Sequence, residues 1–513
     1  MATIYIGYGS ETGNAENLAK TLAQHLSELN LDPQLSALND IALNTLQNDD
    51  VLFIVTSNFG DGEAPGNATK FYESLQECSK LACQYAVFGL GDVSYPKFCG
   101  FTKDLDNKLA TLGATRIANR VDADTSYREF FKKWLHAVTA YFKGEKAALT
   151  ELNLQVKAYG ANQTFKGKIA KITRVNQGEF PVYDIEIDIR GSNMCYDAGD
   201  LLYLVPPTNT TTLKRIHDFY GHLTEKELEL LHQKELRLLS KSLFRALAKK
   251  TNNETLKALT KISAAKEFNQ YIYGRDIADV LIDFCDKNQV SVAEITSMLP
   301  DKLPRAYSVA SDGQVSSDYV RLCVREVQYH LNEVEYHGTA SGFLCHTKEG
   351  DDVDVYVRAN AHFHLPKDET VPVIMIGAGT GIAPYLGFLQ SDRQGEMHLF
   401  FGERYKAKDF LYQNLLEHYL QEKRLTSLHT AFSRDQDEKI YVQHILHQQM
   451  PQLWELFQKG AHIYVCGSKA NLGKPIDEVF LEMAKKYGNL DDAQSQQWLY
   501  DLVSTERYHK DLY

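Results

Sequence analysis

A cation, an aromatic ring and a hydroxyl occur together in the short stretch Arg305-Ala306-Tyr307-Ser308. The stretch is predicted to be a strand, and side chains alternate along a strand, so Arg305 and Tyr307 point to the same face. A guanidinium there can hold a pyrophosphate through two hydrogen bonds, and a phenol ring can lie along a planar ring system such as a flavin. Ser308 adds a small hydroxyl near the reactive edge of that ring. Taken alone, the four residues fit an edge strand without a ligand equally well.

A loop near the amino terminus has the composition of a phosphate site. It runs from Ser10 to Ala15, between a predicted buried strand and a predicted helix, Glu16 to Leu29, and it contains no Lys or Arg. A phosphate there would be held by backbone N–H groups, by the hydroxyls of Ser10 and Thr12, and by the positive end of the helix dipole. An ordinary helix N-cap is the alternative, because Ser and Thr are favoured at that position anyway.

Two further loops follow apolar stretches and place an aromatic residue among small ones. We expect them at the carboxyl ends of parallel strands, where doubly wound sheets bind ligands. Phe59 and Tyr95 are the aromatic residues that would enclose a planar ring, while the glycines let backbone amides approach its edge. The three loops together predict one site for a phosphorylated ring compound.

A glycine-rich turn in the last third of the chain predicts a nucleotide site. The apolar strand Val371 to Ile376 leads into Gly377-x-Gly379-x-Gly381, and Pro384 is expected at the first position of the helix that follows. This pattern suits a pyrophosphate, although tight strand-to-helix turns also need glycine without any ligand.

Further along, Ser433 and Arg434 end another predicted strand, and Lys439 follows closely. Two cations near a hydroxyl favour the 2′-phosphate of NADPH over NADH. A solvated basic turn is the alternative.

Length and composition indicate a multidomain globular protein. The chain has 513 residues, 44% hydrophobic and 24% charged, which predicts two to four domains. It has no run of about eighteen apolar residues, and it begins on a strand pattern without a basic leader, so we expect a cytoplasmic protein without a membrane span. Eight cysteines without a C-x-x-C pair indicate reduced thiols, and no metal site is expected.

The formal net charge of −12 argues against nucleic acid as a partner, because neutralising phosphates requires a basic face. It fits docking on a basic protein. Ordinary solubility charge explains the value equally well.

Several ordered motifs resemble the ferredoxin-NADP reductase family and, more closely, its diflavin branch. They are the R-x-Y-S strand at Arg305, Gly338-Thr339-Ala340-Ser341, the turn from Gly377 to Pro384, Ser433-Arg434, Tyr464-Val465-Cys466-Gly467 and the terminal stretch Arg507 to Tyr513. The resemblance implies FMN in the three amino-terminal loops, FAD on the R-x-Y-S strand and the Gly338 turn, and NADPH on the glycine-rich turn.

The resemblance also implies which residues contact these cofactors. The FMN candidates are Ser10, Glu11, Thr12, Gly13, Asn14, Ala15, Ser57, Asn58, Phe59, Gly60, Leu90, Gly91, Asp92, Tyr95, Phe98 and Cys99. The FAD and NADPH candidates are Arg305, Ala306, Tyr307, Ser308, Cys323, Arg325, Tyr329, Gly338, Thr339, Ala340, Ser341, Gly379, Thr380, Gly381, Ser433, Arg434, Lys439, Tyr441, Gln443 and Tyr513.

Three residues are the catalytic candidates that the resemblance implies. A cysteine at Cys466 would lie beside the nicotinamide, an acid at Asp511 would orient it, and Ser308 would contact the flavin. The chain departs from the family pattern nearby, where Ser468 replaces the usual acid and Pro475 stands at a position that is often Asp.

The expected fold is multidomain α/β plus β-barrel. A flavodoxin-like FMN domain at 1–142 and a linker at 143–160 precede an antiparallel FAD-binding barrel at 161–211 and 299–368. A helical connecting domain at 212–298 interrupts the barrel. A ferredoxin-NADP-reductase-type NADPH-binding α/β domain at 369–513 completes the chain.

The expected function is electron transfer from NADPH to FAD, to FMN and then to a protein acceptor. The terminal pattern Arg-Tyr-x-x-Asp-x-Tyr resembles the sulfite reductase branch, which implies a sirohaem iron-sulfur subunit as the acceptor. A haem-thiolate monooxygenase or a ferric acceptor is an alternative, and so is a flavin-binding carrier or sensor without catalysis. Because the strand pattern begins at Thr3, without the extension that enteric relatives use to assemble, we expect a monomer or weak oligomer.

Overall fold

The computed structural model describes residues 2–59, 62–91, 98–124, 127–154, 159–161 and 163–513, with the backbone but not the side chain of Glu129. The chain divides into two compact units, Met1–Tyr159 and Gly160–Tyr513. This boundary falls inside the predicted linker, which also contains a short helix, Ala147–Thr150. Within the described ranges no helix combines the length and the apolarity needed to cross a membrane.

The first unit is a parallel sheet between two layers of helices. Its strands are β1 (Ile4–Gly9), β2 (Pro33–Ala37), β3 (Val51–Ser57), β4 (Gln84–Leu90), β5 (Thr115–Arg116) and β6 (Val121–Ala123). Its helices are α1 (Asn14–Glu28), α2 (Thr69–Glu77), α3 (Gly100–Thr111), α4 (Arg128–Phe142) and α5 (Ala147–Thr150). The strand order is β2-β1-β3-β4-β5, β6 also pairs with β4, and these pairings are parallel.

Strand β3 shows why this sheet is covered on both faces. Phe53 packs in a core with α1 and α4, whereas Ile54 packs in a second core with α2 and α3. A strand buried on both faces consists of a continuous apolar run, as β3 does. Because β1, β3 and β4 pair in parallel, their carboxyl ends lie at one edge of the sheet, where the three predicted loops begin.

The second unit begins with an antiparallel sheet. Its strands are β7 (Phe165–Arg174), β8 (Val182–Asp188), β9 (Leu201–Leu204), β10 (Arg305–Ser308), β11 (Tyr319–Arg325) and β14 (Asp352–Arg358), with a separate hairpin of β12 (Gln328–Leu331) and β13 (Val334–His337). The order is β10-β9-β14-β7-β8-β11. A single bridge, Val309 to Leu322, joins the chain after β10 to β11. Complete closure into a barrel stays a prediction.

Helices fill the chain between β9 and β10. They are α6 (Thr210–Tyr220), α7 (Glu225–His232), α8 (Lys241–Thr251), α9 (Glu254–Leu259), α10 (Ala265–Ile272), α11 (Ile277–Phe284) and α12 (Val292–Met298). They share a hydrophobic core of their own, which includes Phe244 and Leu281. A shared core supports the predicted connecting domain, whose limits stay a prediction.

The remaining part of the second unit is a parallel sheet covered by helices on both faces. Its strands are β15 (Val373–Ala378), β16 (Met397–Glu403), β17 (Ser427–Phe432), β18 (His462–Gly467) and β19 (Tyr508–Leu512), in the order β17-β16-β15-β18-β19. Helix α13 (Ser341–Cys345) precedes this sheet in the chain. The helices of this part are α14 (Ala383–Phe388), α15 (Lys406–Asp409), α16 (Gln413–Gln421), α17 (Val442–Gln448), α18 (Met450–Gln458), α19 (Lys469–Gly488) and α20 (Asp492–Ser504). The predicted combination of α/β sheets with an antiparallel sheet is confirmed.

Two predicted helix starts differ from the observed ones. Helix α1 begins at Asn14 rather than Glu16, because the chain turns at Gly13. Pro384 is the second residue of α14, since a one-turn helix, Gly379–Ile382, precedes it.

Candidate functional site

The loop between β1 and α1 contains hydrogen-bond donors for which the described residues supply no acceptor. Gly13 caps α1 with φ of 83° and without a side-chain capping bond, so the predicted alternative of a Ser or Thr cap is absent here. The Ser10 N–H donates to Asn67 Oδ1 at 2.8 Å, whereas its hydroxyl is buried without a hydrogen-bond partner among the described residues. The N–H groups in the first turn of a helix also lack intrahelical acceptors. These donors fit a phosphate.

The other residues of this loop have different roles. Glu11 Oε1 accepts a hydrogen bond from the N–H of Gly66 at 2.5 Å, so its carboxylate fastens the loop to the chain before α2. Thr12 and Asn14 are exposed, and Ala15 is buried in the core. Thr12 therefore lies at the surface of the predicted site.

The loop after β3 is held by Asn58. Its Nδ2 donates to the carbonyl of Leu90 at 3.2 Å, and its Oδ1 accepts from the N–H of Phe101 at 3.0 Å. Ser57 Oγ donates to the Gly9 carbonyl at 3.4 Å. Asn58 thus links the second loop to the third, and Phe59 stays 55% exposed. An exposed aromatic ring at this edge fits stacking on a planar ring.

The third loop follows β4. A Cβ at Gly91 would lie 2.6 Å from Cys99 Sγ and 2.9 Å from the Phe98 ring, so a larger residue there would force one of these side chains to shift. Burial raises the pKa of the Cys99 thiol to about 12, which makes the thiol part of the packing. The remaining FMN candidates, Gly60, Asp92 and Tyr95, lie outside the described residues.

In the second unit, the three catalytic candidates lie together. The parallel register of β18 and β19 sets Cys466 opposite Asp511. Asp511 Oδ2 accepts from Ser308 Oγ at 2.6 Å and lies 3.8 Å from Cys466 Sγ. Burial, reinforced by the Asp511 charge, holds the pKa of Cys466 well above its usual range, so the thiol stays protonated. The antiparallel and parallel sheets meet at this cluster.

The terminal residue is fixed beside the glycine-rich turn. Tyr513 Oη and Thr380 Oγ1 form a hydrogen bond of 2.8 Å. The Tyr513 N–H donates to the Gly467 carbonyl at 3.1 Å, and its carbonyl accepts from the Lys469 N–H at 2.9 Å. The residue as a whole is 64% exposed, while burial of its phenol raises the pKa of that hydroxyl. Tyr513 is therefore anchored both by its backbone and through Thr380.

Two glycines of that turn are required by the backbone, one for its positive φ and one for a close approach to another strand. Gly379 has φ of 59°, and a Cβ there would lie 3.3 Å from Arg325. A Cβ at Gly381 would lie 2.1 Å from the Cys466 carbonyl oxygen. Arg325 forms an ion pair with the buried Glu403, whose pKa burial raises. The turn thus packs directly against the cluster of Ser308, Cys466 and Asp511.

The R-x-Y-S strand is braced by the helical segment. Arg305 donates to Glu235 Oε2 at 2.6 Å and to the Leu303 carbonyl at 2.7 Å. Ala306 is exposed and Tyr307 is partly buried. The Arg305–Glu235 pair fixes the guanidinium with part of its surface still open, which fits a phosphate contact.

The predicted FAD turn at Gly338 lies between β13 and α13. A Cβ at Gly338 would lie 2.3 Å from Ser341 Oγ, so the turn is tight. Ser341 Oγ accepts from the Val327 N–H at 3.3 Å. Thr339 is partly exposed and Ala340 is buried. Cys323, on β11, is buried, and burial raises its pKa to about 12, so its contribution is packing.

Two residues of this region were not predicted from the sequence. Arg237 donates to the His337 carbonyl at 2.7 Å and also to the hydroxyl of Tyr329, a predicted cofactor contact. Glu235 holds Arg305. Both lie between α7 and α8, among many other charged residues, and no sequence pattern distinguishes them.

The predicted 2′-phosphate residues follow β17. The Ser433 N–H donates to the Glu403 carbonyl at 2.9 Å, and the Arg434 N–H donates to the Arg404 carbonyl at 2.8 Å. The side chains of Arg434 and Lys439 are exposed and have no ion-pair partner within the described chain. Tyr441 is 43% exposed, and Gln443 is partly exposed beside it. Two free cations fit a phosphate dianion.

Comparison with known proteins agrees with this arrangement. Residues 6–134 match the flavodoxin family model, and residues 375–472 match the model of the oxidoreductase NAD-binding domain. These matches define the class as a flavodoxin-type unit joined to a pyridine-nucleotide oxidoreductase unit.

The chain is similar over its length to several sulfite reductase (NADPH) flavoprotein alpha-components. It is 32% identical to that of Bacillus subtilis, covering 99% of this chain and 88% of the relative. It is 33% identical to that of Mannheimia succiniciproducens, covering 98% and 89%, and 34% identical to that of Vibrio parahaemolyticus, covering 99% and 86%. The chain belongs to the family of NADPH-dependent sulfite reductase flavoproteins, and the predicted resemblance is confirmed.

Proposed function

We propose that this chain takes electron pairs from NADPH and delivers electrons singly to the haem-containing subunit of a sulfite reductase. The observation that carries the proposal is the cluster of Ser308, Cys466 and Asp511, which joins the two sheets of the second unit beside the glycine-rich turn. Bound FAD and FMN supply the conversion between two-electron and one-electron transfer. The chain supplies position and electrostatics.

Ser308, Cys466 and Asp511 would line the point where flavin and nicotinamide meet. Asp511 lies beside two donors, Ser308 Oγ and Cys466 Sγ, and its strand pairing with β18 fixes its position. Because the Cys466 thiol stays protonated, its role is to shape the site and to act as a weak donor. These residues orient the reacting groups, and no covalent attachment to the chain is needed.

Arg434 and Lys439 give the preference for NADPH. Both are exposed cations at the end of β17, and a 2′-phosphate would form charge-assisted hydrogen bonds with them. NADH lacks this phosphate, so it gains nothing from either residue.

In the first unit, Ser10 and the amino terminus of α1 would hold the FMN phosphate, and Phe59 would stack on its ring. The unpartnered, buried Ser10 hydroxyl supports this assignment. We propose the domain limits given above, with residues 143–160 as the linker that lets the FMN domain reach its acceptor.

The proposed acceptor is a sirohaem protein, and the proposed location is the cytoplasm. The name that the relatives share supports the acceptor. A net charge of −12 suits docking on a basic surface of that partner. We propose a monomer or weak oligomer in the absence of the acceptor.

Three measurements on the purified chain test the proposal. Heat-released flavins should comprise one FMN and one FAD per chain. NADPH should reduce ferricyanide rapidly, and adding a sirohaem sulfite reductase subunit should give NADPH-dependent sulfide formation. FAD without FMN would contradict the FMN site, and absence of NADPH oxidation would indicate a carrier or sensor instead. Ferricyanide reduction without sulfide formation would contradict only the acceptor.

A further inference from the structure

Two histidines and a buried carboxylate meet at one point of the second unit. Glu326 follows β11, His337 ends β13, and His346 follows α13. Glu326 Oε1 lies 3.0 Å from His337 Nδ1 and 3.5 Å from His346 Nδ1. The two imidazole rings stand edge to face, with centroids 5.1 Å apart. Three segments that are separate in sequence therefore converge through potential metal ligands.

The spacing of these atoms matches a metal site. Zinc bonds of about 2.0–2.2 Å in tetrahedral geometry put neighbouring ligand atoms about 3.3–3.6 Å apart. The two distances from Glu326 Oε1 are close to this range. His346 Nδ1 lies 2.8 Å from the Gly342 carbonyl oxygen, a hydrogen bond that a metal ion at this nitrogen would replace, and water would supply the fourth ligand.

The burial of Glu326 calls for a cation. Its side chain is only 6% exposed, and the ion-pair partners found for it in the described chain are these two histidines. A buried carboxylate is costly unless it is paired or coordinates a metal. Imidazoles can donate hydrogen bonds to this carboxylate, whereas a divalent ion would supply two positive charges and bonds to all three side chains.

A second carboxylate faces the outer side of the cluster. Glu335 Oε1 lies 3.9 Å from His337 Nε2, the nitrogen that points away from Glu326. Metal-binding histidines commonly present their other nitrogen to a carboxylate, which fixes the tautomer and the ring orientation. His330 lies on the far side of Glu335, with its Nε2 at 4.0 Å, and does not belong to the cluster.

We propose that Glu326, His337 and His346 bind a divalent transition-metal ion of the zinc class. Two imidazoles with one carboxylate suit zinc, cobalt or nickel, and they do not suit magnesium or calcium, which prefer oxygen ligands. The ion ties β11, the end of β13 and the end of α13 together. The three ligands lie beside the predicted FAD residues Arg325 and Gly338 to Ser341, but none of the three is itself a predicted cofactor contact. The sequence shows no metal motif here because the three ligands stand on different elements, at spacings that match none of the common zinc patterns.

Zinc binding by untagged, flavin-loaded protein tests the proposal. After treatment with a chelator, the protein is dialysed to equilibrium against Zn²⁺, and bound zinc is measured by atomic emission, which flavin colour does not disturb. Since the chain has eight cysteines that can also bind zinc, variants are compared with the parent chain. His346→Ala should lose one zinc equivalent or weaken that binding at least 10-fold. His337→Ala should do the same, and the matched control His330→Ala should bind as the parent does.

Thermal unfolding gives a second readout. Zinc should raise the Tm of the parent chain and of His330→Ala, and it should leave the Tm of His346→Ala unchanged, because a ligand that binds the folded state stabilises it. Magnesium should not produce the shift. The His346 side chain is 61% exposed, so its removal does not disturb the core. Equal zinc stoichiometry and affinity in the parent and in His346→Ala would overturn the proposal.

Discussion

The hydrogen bond between Tyr513 and Thr380 gives a prediction about how the chain discriminates between nucleotides. The family resemblance implies that the Tyr513 ring covers the flavin face that the nicotinamide must reach, and we propose that the ring moves aside before hydride transfer. Moving it breaks the 2.8 Å hydrogen bond to Thr380. The backbone bonds of Tyr513 to Gly467 and Lys469 stay in place, so only the side chain has to swing.

The structure sets the size of the effect. A neutral hydrogen bond contributes about 0.5–1.5 kcal/mol, and the low end applies here because Tyr513 as a residue is 64% exposed and water can replace the lost partner. About 0.5–1 kcal/mol corresponds to a factor of about 2–5. Tyr513→Phe should therefore raise kcat/KM for NADH about 2–5-fold. Deleting Tyr513 should raise it further, slow NADP release and improve NADH relative to NADPH.

A double-mutant cycle separates this bond from other roles of the two residues. Thr380→Val, made in the Tyr513→Phe chain, should give no further gain for NADH, because both substitutions remove the same bond. Tyr500→Phe, at a tyrosine that is 65% exposed on α20, is the matched control and should change nothing. The assay is steady-state reduction of ferricyanide with each nucleotide. Independent, additive effects of the two substitutions would refute the reasoning, as would an unchanged NADH-to-NADPH ratio in the truncated chain.

Four further predictions concern the proposed sites. Arg434→Ala should raise the KM for NADPH about 10–150-fold and leave the KM for NADH unchanged, because a charge-assisted contact contributes about 1.5–3 kcal/mol. The exposed control Lys226→Ala should change neither KM. Equal losses for both nucleotides would contradict the assignment. Ser10→Ala should lower the FMN content measured after heat release and leave the FAD content unchanged. The control Ser27→Ala, on the exposed side of α1, should lower neither. A normal FMN content in Ser10→Ala would refute the phosphate contact. Asp511→Asn should slow flavin reduction by NADPH at least 10-fold in stopped-flow measurements, with little change in NADPH affinity. The reason is that the 2.6 Å hydrogen bond from Ser308 loses its carboxylate acceptor. An unchanged rate would show that Asp511 does not belong to the site. Iodoacetamide at pH 8 should label the partly exposed Cys78 in the native protein and leave Cys466 unmodified, because burial keeps the pKa of Cys466 high. Peptide mapping identifies the labelled cysteines. Rapid labelling of Cys466 would contradict the prediction.

Much of the architecture was predictable from local pattern. Val51 to Val55 and Val373 to Ile376 are unbroken apolar runs, and such runs followed by glycine and hydroxyl residues predict buried parallel strands with ligand loops at their ends. The structure has both strands inside parallel sheets. Strands of this kind depend on neighbouring residues in sequence, so sequence reasoning is effective for them.

The resemblance of ordered motifs supplied more than the residues alone. It brought together Ser308, Cys466 and Asp511, which are far apart in the chain and have no individual signature. The structure places them within hydrogen-bonding distance, because the register of β18 with β19 and the meeting of two sheets determine where each side chain lies.

Only the tertiary structure decided the partners of the charged residues. Arg305 pairs with Glu235, Arg237 reaches the His337 carbonyl, and Glu326 faces two histidines from other elements. A charged side chain in a sequence is compatible with solvent or with many partners, and its partner depends on how distant segments pack. Local sequence determines which strands and turns form, whereas long-range packing determines which charges are buried together, and that is why the fold was predictable and the ion pairs were not.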